Sequence, residues 1–408
     1  IPPGLASPPW APPTNGRAAY LGGSVTTAGN GSLLDSARAL APLLRDMSAQ
    51  FEHDHRLSEA AIDALREAGA LRLTVPAAHG GDDTHPVEFF DIIEELAAAD
   101  ASVGWVTFIT NGTKFITLTR LPDGGLERVL EGGPDVILAG VTAPKGTAER
   151  VAGGYRLRGR WAYASGCLHA AWILAGARVT RDGALETVGD DSQPHARLFV
   201  LPASEVEILD TWRPIGLRGT GSHDFEVADV FVPDEMSYSL QDPVRPGFPQ
   251  VGVNQGAAAA TALGIGRATL ETFSALSGRT RAGLTASGIS LGAQDLVRYR
   301  VAEARGLLGS GRAYLRHTMS VMQAALDRGD LPTEADRGDL QIGINVGIFN
   351  ATRAVESLCE VAGGPAIHTG ERLERLFRDV HAASNNAANS PTRMVAFGQA
   401  LLDSSQER

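Results

Sequence analysis

The sequence contains only two cysteines among its 408 residues, Cys167 and Cys359. Two cysteines cannot form a disulfide framework, so the chain is predicted to suit a reducing cytoplasm. Cys167 lies two residues before His169, and His53 lies two residues before His55. Neither pair is accompanied by the further ligands that a four-coordinate metal site needs. We therefore predict that the protein binds no metal.

Long apolar runs and an excess of positive charge are also missing. No stretch of about 18 apolar residues occurs, which argues against a membrane-spanning helix. The 36 basic and 47 acidic residues give a net charge of −11, whereas nucleic acids and anionic membranes attract basic surfaces. The first letters, IPPGLASPPWAPP, show neither the basic nor the apolar region of a secretion signal. Residues 1–30 are predicted to form a flexible Pro- and Gly-rich tail, and the protein is predicted to be cytoplasmic.

Two nucleotide-binding signatures are absent as well. No G-x-G-x-x-G motif follows a predicted strand, and no G-K-[ST] loop is present. The sequence therefore predicts neither a Rossmann fold nor a P-loop fold, and it contains no motif for NAD(P)H.

What is present divides the chain into three regions. Residues 31–130 carry apolar residues at helical spacing, including a helix that is predicted to begin after Ser58 and to end at Gly69. In residues 131–240 the apolar period changes to two, as in YRLRGRWAYASG, and turn residues separate short strands. Residues 241–408 return to long helical segments. This order predicts an α+β fold with an N-terminal helical domain, a middle antiparallel β domain and a C-terminal four-helix bundle.

Four segments together resemble one known family. They are PKGTAERVAGGYRLRGRWAYASGCLHAAWILAGA at 144–177, DTWRPIGLRGTGSHDFEVADVFVPDE at 210–235, ADASVGWV at 99–106 and RLFRDVHAAS at 375–384. Their content and order resemble the acyl-CoA dehydrogenase superfamily, and within it the two-component monooxygenases that use reduced flavin. This resemblance implies an acyl-CoA dehydrogenase-like fold and a homotetramer. It also implies reduced FMN or FAD delivered by a separate NAD(P)H–flavin reductase, with O₂ as the co-substrate.

The resemblance assigns roles to several residues of the first two regions. The matching serine of the family approaches the flavin N5 edge, so Ser165 is a catalytic and flavin-binding candidate that could hold a flavin C4a-hydroperoxide. Trp105 and Trp161 are candidates for packing beside the flavin ring, with ordinary core packing as the alternative for each. Thr142 is expected near the pyrimidine edge of the ring, in a loop after the strand VILAGV.

Further flavin contacts are expected from the C-terminal region. Arg267 and Arg279 fall where the superfamily binds the flavin phosphate, for which a guanidinium is suited, and surface charge is the alternative. Gly363 and Gly364 resemble a turn through which a neighbouring subunit approaches the flavin, with a helix C-cap as the alternative. The polar loop 218–224 is expected near the cofactor, although two of its members, a histidine and an aspartate, suit structural capping equally well.

The absence of carboxylates from two segments favours oxygenation over dehydrogenation. An acyl-CoA dehydrogenase needs a positioned carboxylate that removes the α-proton of its substrate. The superfamily keeps this carboxylate near the start of the bundle or in the last segment, but residues 244–270 and 380–402 contain no Asp or Glu. We therefore predict a monooxygenase, with an acyl-CoA dehydrogenase and a non-catalytic flavin-binding protein as the alternatives.

A second substitution concerns the substrate. Many phenol hydroxylases of this branch carry a substrate-deprotonating histidine a few residues after an Arg-Asp pair, and Asn386 occupies that position after Arg378 and Asp379. His381 comes earlier, although helical spacing places it on one face with Asn385. Both Asn386 and His381 are catalytic candidates. The missing base favours a substrate that is already nucleophilic, so N-oxidation of an amine such as a nucleotide-linked amino sugar is predicted, with aromatic or polyketide hydroxylation as the alternative.

Overall fold

The structure, a computed structural model, describes residues 32–188, 193–245, 256–278 and 290–386, and also 389, 392, 394–395, 397–399 and 402. Two predictions, the tail at residues 1–30 and the phosphate contact of Arg279, lie outside the described residues. Within the described residues, no helix is long and apolar enough to cross a membrane. In the same part of the chain, no group of three or more His, Cys, Asp or Glu side chains is placed to hold a metal ion.

From residue 32 onward, the described part of the N-terminal region contains five α-helices: α1 (Leu33–Asp54), α2 (Glu59–Glu67), α3 (Pro86–Ala99), α4 (Ala101–Leu118) and α5 (Asp123–Leu130). The Ser58 side chain caps α2 by accepting a backbone hydrogen bond, and Gly69 takes a left-handed φ of 79° just beyond the end of α2. Both signals were predicted from the sequence and are confirmed. Asp100 separates α3 from α4, because its carboxylate accepts hydrogen bonds from the N–H groups of Ser102 and Val103.

The middle region, described except for residues 189–192, contains ten strands in its described part. They are β1 (Leu138–Val151), β2 (Gly154–Trp161), β3 (Trp172–Arg181), β4 (Ala184–Leu185), β5 (Thr187–Val188), β6 (Gln193–Pro194), β7 (Ala196–Pro202), β8 (Glu207–Leu209), β9 (Asp224–Pro233) and β10 (Ser237–Tyr238). Eight of them form one sheet in the order β10-β7-β3-β1-β2-β9-β8, with β4 beside β3, and β5 pairs with β6. Along β2, Tyr155, Leu157 and Trp161 are buried while Arg156 and Arg158 are exposed. This alternation confirms the predicted period of two.

One strand pair differs from the predicted antiparallel arrangement. β1 and β3 run parallel, with Leu138 opposite Trp172. β2 is antiparallel to β1 and returns the chain to the end at which β1 began. Because β3 starts at that end, on the other side of β1, it runs in the same direction as β1. A side-chain period of two does not report strand direction, so the sequence could not reveal this pairing.

Among the described residues after the sheet there are four long helices: α6 (Ala257–Ser277), α7 (Asp295–Asp327), α8 (Glu334–Ala362) and α9 (Arg372–Ser384). Thr333 and Asp336 form a capping box at the start of α8, in which each side chain accepts a hydrogen bond from the other residue's backbone. These four helices confirm the predicted C-terminal helical region.

The N-terminal and C-terminal helices share one hydrophobic core. Phe89 of α3 and Leu263 of α6 belong to the same buried cluster. The two helices approach closely at Gly264, where an added Cβ atom would lie 2.4 Å from the carbonyl oxygen of Glu94. The sheet has a separate core that includes Trp161. The β region is therefore an insertion between two helical regions that pack together, and α4 extends from their shared core to the sheet.

Candidate active site

A cavity of 990 Å³ lies where α4, the sheet and the end of α9 meet. Its walls come from α4, β1, the segment after β2, the loop before β9 and the residues that follow α9. Its lining residues include Trp105, Phe108, Thr142, Tyr163, Ser165, Trp212, Arg213, Leu217, Thr220, Ser222, Asn385 and Asn386. The volume is in the range of cavities that bind cofactors and small substrates, which run from about 300 to about 1,000 Å³.

Ser165 lies in the segment between β2 and β3, and backbone hydrogen bonds fix this segment in place. The N–H groups of Ala164 and Gly166 donate to the carbonyl oxygens of His223 and Thr220 at 3.0 and 2.9 Å. Gly166 has a φ of 77°, a left-handed conformation that glycine adopts without strain. The turn therefore holds the Ser165 side chain at the cavity wall.

The Ser165 hydroxyl contacts two other side chains. Trp105 Nε1 donates a hydrogen bond to Ser165 Oγ at 3.2 Å, and Ser222 Oγ lies 2.7 Å from Ser165 Oγ. Ser222 Oγ also lies 2.7 Å from Thr220 Oγ1, which donates to the carbonyl oxygen of Leu217 at 2.8 Å. The hydroxyls of Ser165, Ser222 and Thr220, called the hydroxyl chain below, belong to residues that are at most 5% exposed. The hydroxyl chain links α4 to the loop before β9.

Two aromatic side chains at the cavity were not found by sequence reasoning. Tyr163 is 73% exposed and has a φ of 71°, which is unusual for a residue with a side chain. Its ring meets Trp212 edge to face, with ring centroids 6.2 Å apart and an interplanar angle of 88°. Trp212 Nε1 donates to the carbonyl oxygen of Arg218 at 3.1 Å, which fixes the indole. The sequence signal for this pair is that each residue lies within one of the segments that resemble the family, Tyr163 in 144–177 and Trp212 in 210–235.

The polar loop 218–224 divides into cavity residues and structural residues. Thr220 and Ser222 line the cavity. His223 does not: its Nδ1 accepts hydrogen bonds from the N–H groups of Thr211 and Trp212, both at 3.2 Å, and burial lowers its pKa. A neutral imidazole therefore caps the loop. The charged members form ion pairs, Arg218 with Glu52 at 3.3 Å and Asp224 with Arg160 at 2.7 Å.

Trp161 does not line the cavity, which corrects its predicted place beside the flavin. Its side chain is fully buried in the core of the sheet, where the ring stacks on Phe225 with centroids 4.9 Å apart. Its Nε1 donates to the carbonyl oxygen of Gly176 at 2.7 Å. Trp161 is therefore a core residue of the sheet, which was the alternative given for it from the sequence. Thr142 does line the cavity, but it lies within β1 at an irregularity between Val141 and residue 146 rather than in a loop.

The predicted contacts from the C-terminal region lie away from the cavity within one chain. Arg267 borders a different cavity, of 340 Å³, and pairs with Glu95 at 2.9 Å and Glu271 at 3.4 Å. Gly363 follows α8 with a φ of 71°, as a helix-ending residue does, and Gly364 comes next. Neither glycine lines the 990 Å³ cavity.

The end of α9 corrects the expectation for His381. Asn385 and Asn386 line the cavity, whereas His381 does not. His381 Nε2 lies 3.8 Å from the Glu356 carboxylate of α8, and its ring packs edge to face on Phe377. The helix ends one residue before Asn385, whose φ of −87° and ψ of 53° are not helical. His381 therefore lies outside the cavity that Asn385 and Asn386 line.

Asp379 is buried behind the cavity wall. One of its carboxylate oxygens accepts a hydrogen bond from the N–H group of Leu217 at 2.7 Å. Leu217 has a left-handed φ of 53°, so this bond holds a strained corner of the loop before β9 against α9. Burial, together with the nearby Asp100 carboxylate, raises the pKa of Asp379 to about 7.

Comparison with known proteins identifies relatives of this chain. Residues 32–120 match the family described as Acyl-CoA dehydrogenase, N-terminal domain, and residues 257–391 match Acyl-CoA dehydrogenase, C-terminal domain. The indole-3-acetate monooxygenase of Pseudomonas putida is 30% identical over 364 residues, covering 87% of this chain and 88% of that protein. The oxygenase subunit HsaA of a flavin-dependent monooxygenase from Rhodococcus jostii is 29% identical over 381 residues, covering 88% and 95%.

A solved structure agrees with these relatives. The 3-HSA hydroxylase from Rhodococcus sp. RHA1 matches with a TM-score of 0.82 and 28% identity, over 92% of this chain and 97% of that chain. The chain belongs to the flavin-dependent monooxygenases of the acyl-CoA dehydrogenase family. The predicted fold, the predicted enzyme class and the predicted use of reduced flavin are confirmed.

The cavity suits the flavin of this monooxygenase family. A flavin ring has two broad aromatic faces and an edge of nitrogen and oxygen atoms that form hydrogen bonds. Trp105 and Tyr163 offer aromatic surface, and Ser165 and Thr142 offer hydroxyls in the same cavity. Among the described lining residues there is no carboxylate, so the proton-abstracting group of an acyl-CoA dehydrogenase is absent from this wall.

Proposed function

We propose that this monooxygenase oxygenates a neutral, electron-rich aromatic compound of the indole type, which reacts without an enzyme base. The lining of the cavity carries this proposal. Trp105, Phe108, Tyr163 and Trp212 provide aromatic walls, and the described lining residues include no carboxylate and no imidazole. Aromatic rings gain both buried area and favourable edge-to-face contacts in such a cavity.

The missing base limits which aromatic substrates react well. A phenol becomes strongly nucleophilic only after it loses its proton, and a positioned base commonly contributes about 10²–10⁴-fold to such a step. Asn386 cannot serve as that base, and His381 faces Glu356 rather than the cavity. An indole carbon is nucleophilic in the neutral molecule. The relative from Pseudomonas putida is named for indole-3-acetate, which supports an indole ring as the group that is oxygenated.

N-oxidation of an amine is the second candidate, because a neutral amine also reacts without a base. A nucleotide-linked amino sugar, however, carries a diphosphate that requires cationic partners. The only cationic side chain among the described lining residues is Arg213, and both of its terminal nitrogens already bind Asp210, at 2.9 and 2.7 Å. The lining therefore favours a neutral aromatic substrate over this amine.

The proposed arrangement places the flavin ring against α4 and the segment after β2. Ser165 contacts the N5 edge, Trp105 packs beside the ring, and Thr142 contacts the pyrimidine edge. When bound, reduced flavin activates O₂ and supplies the oxygen atom that is transferred to the substrate. The chain contributes aromatic walls that exclude water and orient the substrate, with Asn385 and Asn386 at the side that α9 forms.

Two partners complete the proposal. A separate reductase supplies reduced flavin, since the chain has no NAD(P)H motif and the Rhodococcus jostii relative is named an oxygenase subunit. The chain assembles as a homotetramer, which the exposed Phe349 of α8 (67% exposed) and Tyr299 of α7 (59% exposed) support. In this assembly Gly363 and Gly364 contact flavin bound to a neighbouring subunit. Sedimentation equilibrium tests the assembly, and a monomer would contradict it.

One experiment tests the reaction. The protein is mixed anaerobically with reduced FMN or FAD, and ¹⁸O₂ is then added with indole, phenol or a nucleotide-linked amino sugar as the third component. We expect ¹⁸O in the indole product, and little turnover of phenol or of the amino sugar. Phenol hydroxylation without indole turnover would overturn the assignment of substrate class. Oxidation of the amino sugar alone would establish the second candidate.

A further inference from the structure

The hydroxyl chain has a direction that its end groups determine. At one end, Trp105 Nε1 carries a hydrogen and accepts nothing, so it donates to Ser165 Oγ across 3.2 Å. At the other end, the carbonyl oxygen of Leu217 has no hydrogen, so the single hydrogen of Thr220 Oγ1 is used in the 2.8 Å contact with it. All three distances between consecutive oxygens from Ser165 to Leu217 are those of normal O–H···O hydrogen bonds.

The direction of each inner bond follows from these ends. Because the Thr220 hydrogen is committed to Leu217, Ser222 must donate to Thr220 in their 2.7 Å contact. Because the Ser222 hydrogen is then committed, Ser165 must donate to Ser222, also at 2.7 Å. Ser165 Oγ thus accepts from Trp105 and donates to Ser222. What remains for the cavity is one lone pair of Ser165 Oγ, which accepts hydrogen bonds and donates none.

We propose that Ser222 and Thr220 are positioning residues that make Ser165 a hydrogen-bond acceptor toward the flavin, and that the site thereby distinguishes reduced from oxidised flavin. This inference rests on the proposed placement of the flavin N5 edge at Ser165. N5 carries a hydrogen in the reduced ring and only a lone pair in the oxidised ring. The lone pair of Ser165 therefore accepts a hydrogen bond from reduced flavin and meets a second lone pair in oxidised flavin.

Burial prevents water from removing this preference. Ser165, Thr220 and Ser222 are 5%, 2% and 4% exposed. For Ser165 to donate to oxidised flavin, its hydrogen must leave Ser222, whose lone pair then remains unpaired in a buried position. The loop cannot easily adjust, since Asp379 holds the N–H group of Leu217 at 2.7 Å. An oxygenase that receives reduced flavin and must release oxidised flavin benefits from this difference.

The test compares the affinities of the two flavin states. Dissociation constants for oxidised and for anaerobically reduced FMN and FAD are measured by fluorescence or absorbance titration, and the ratio of the oxidised to the reduced constant is formed. In Ser222→Ala the Ser165 hydrogen is free to turn toward the cavity. In Thr220→Val the hydrogen of Ser222 is free to turn to Ser165, which releases the Ser165 hydrogen in the same way. We expect each substitution to lower the ratio about tenfold, which lowers the midpoint potential of bound flavin by about 30 mV for two electrons.

A matched control is available on α4. Thr110 is buried, and its hydroxyl has no hydrogen-bond partner in the described structure. Thr110→Val therefore repeats the Thr220→Val replacement outside the hydroxyl chain, and the ratio should stay within twofold of the parent protein. Circular dichroism and thermal unfolding establish that each variant is folded before its ratio is interpreted.

The outcomes separate the inference from the proposed function. If Ser165→Ala changes the ratio but Ser222→Ala and Thr220→Val do not, the hydroxyl chain does not set the direction of Ser165 and the inference is wrong. If Ser165→Ala also leaves both constants unchanged while flavin still binds, the placement of the flavin at Ser165 is wrong. If the parent protein binds neither flavin state, the proposed function itself fails.

Discussion

Trp105 Nε1 donates a hydrogen bond to Ser165 Oγ at 3.2 Å, across the boundary between the helical region and the sheet. The indole comes from α4 and the hydroxyl from the segment after β2. The position of the serine oxygen in the cavity therefore depends on how the two regions pack.

Trp105→Phe retains an aromatic wall and removes the N–H group that fixes Ser165. We expect product formed per reduced flavin consumed to fall several-fold and hydrogen peroxide release to rise correspondingly, because a misplaced Ser165 no longer holds the flavin edge in the reactive arrangement. Product is measured by chromatography, and peroxide by a coupled assay. Trp105→Phe with unchanged coupling would show that the aromatic surface of Trp105 is sufficient.

Substitutions near the end of α9 should change the kinetics only where the residue lines the cavity. Asn385→Ala and Asn386→Ala are expected to raise the KM for the aromatic substrate several-fold, because both residues line the cavity. His381→Ala should leave kcat and KM within about twofold, since its ring packs on Phe377 away from the cavity. Steady-state kinetics of the three variants provide the comparison. A large loss of kcat in His381→Ala alone would restore His381 as a catalytic base.

Trp161 should matter for stability and not for flavin binding. Trp161→Ala removes a fully buried indole and is expected to lower the free energy of unfolding by about 3–5 kcal/mol. Trp161→Phe keeps a ring against Phe225 but loses the hydrogen bond to Gly176, at a cost of about 0.5–1.5 kcal/mol. Urea unfolding measures both values. The dissociation constant for reduced flavin should be unchanged in Trp161→Phe, and a large change would return Trp161 to the flavin site.

Asp379 should make stability depend on pH. Its pKa of about 7 in the folded protein exceeds the ordinary value of 3.8, so the folded state binds more protons than the unfolded state between roughly pH 4 and pH 7. The contribution of Asp379 to the free energy of unfolding is fully present below about pH 4 and is lost as the pH rises through about 7. The free energy of unfolding then changes by at most about 1.4 kcal/mol per pH unit. The neighbouring charges are those of Asp100, Glu52 and Arg375, and each also affects the slope.

Asp379→Asn keeps an oxygen that accepts from Leu217 but does not titrate. The free energy of unfolding of the parent protein minus that of Asp379→Asn should therefore decrease as the pH rises from 4 to 7. Urea unfolding at several pH values measures this difference, in which titrations common to both proteins cancel. A difference that is independent of pH would mean that Asp379 does not titrate in this range.

The two thiols should be unreactive in the native protein. Burial raises the pKa of Cys167 to about 11 and that of Cys359 to about 12, so the reactive thiolate is scarce near pH 8. We expect a thiol-specific disulfide reagent to modify both cysteines at least about 100-fold more slowly in the native protein than in urea. Rapid modification of the native protein would show that one cysteine becomes accessible through local opening.

Local patterns in the sequence predicted much of the fold. The ends of α2 follow from Ser58 and Gly69, and the alternation along β2 follows from the side chains themselves. The parallel pairing of β1 and β3 does not appear in the sequence, because it depends on which side of β1 the later strand joins. Local pattern predicts elements well when the decisive contacts lie within one turn or one strand.

The sequence predicted those residues of the candidate site that could be recognised within a single segment. Ser165 and Trp105 were identified through the segments around them, whereas the contact of Tyr163 with Trp212 joins two distant segments, and neither segment alone predicts it. The same holds for the hydrogen bond from Leu217 to Asp379. His381 was misplaced because helical spacing does not show which neighbouring element a side chain meets, and His381 meets Glu356 of α8 rather than the cavity.

The shared core of α3 and α6 has a consequence for synthesis of the chain. Residues 100–256 separate the two helices, and at about 5–20 residues per second a ribosome needs roughly 8–30 seconds to produce them. During that time α3 can pack against α1 and α4, but the part of its surface that α6 covers in the folded protein stays exposed, while the sheet, which has its own core, can already fold. The nascent chain should therefore bind chaperones through its first helices until α6 emerges. A fragment that ends before residue 257 should aggregate, however stable its sheet.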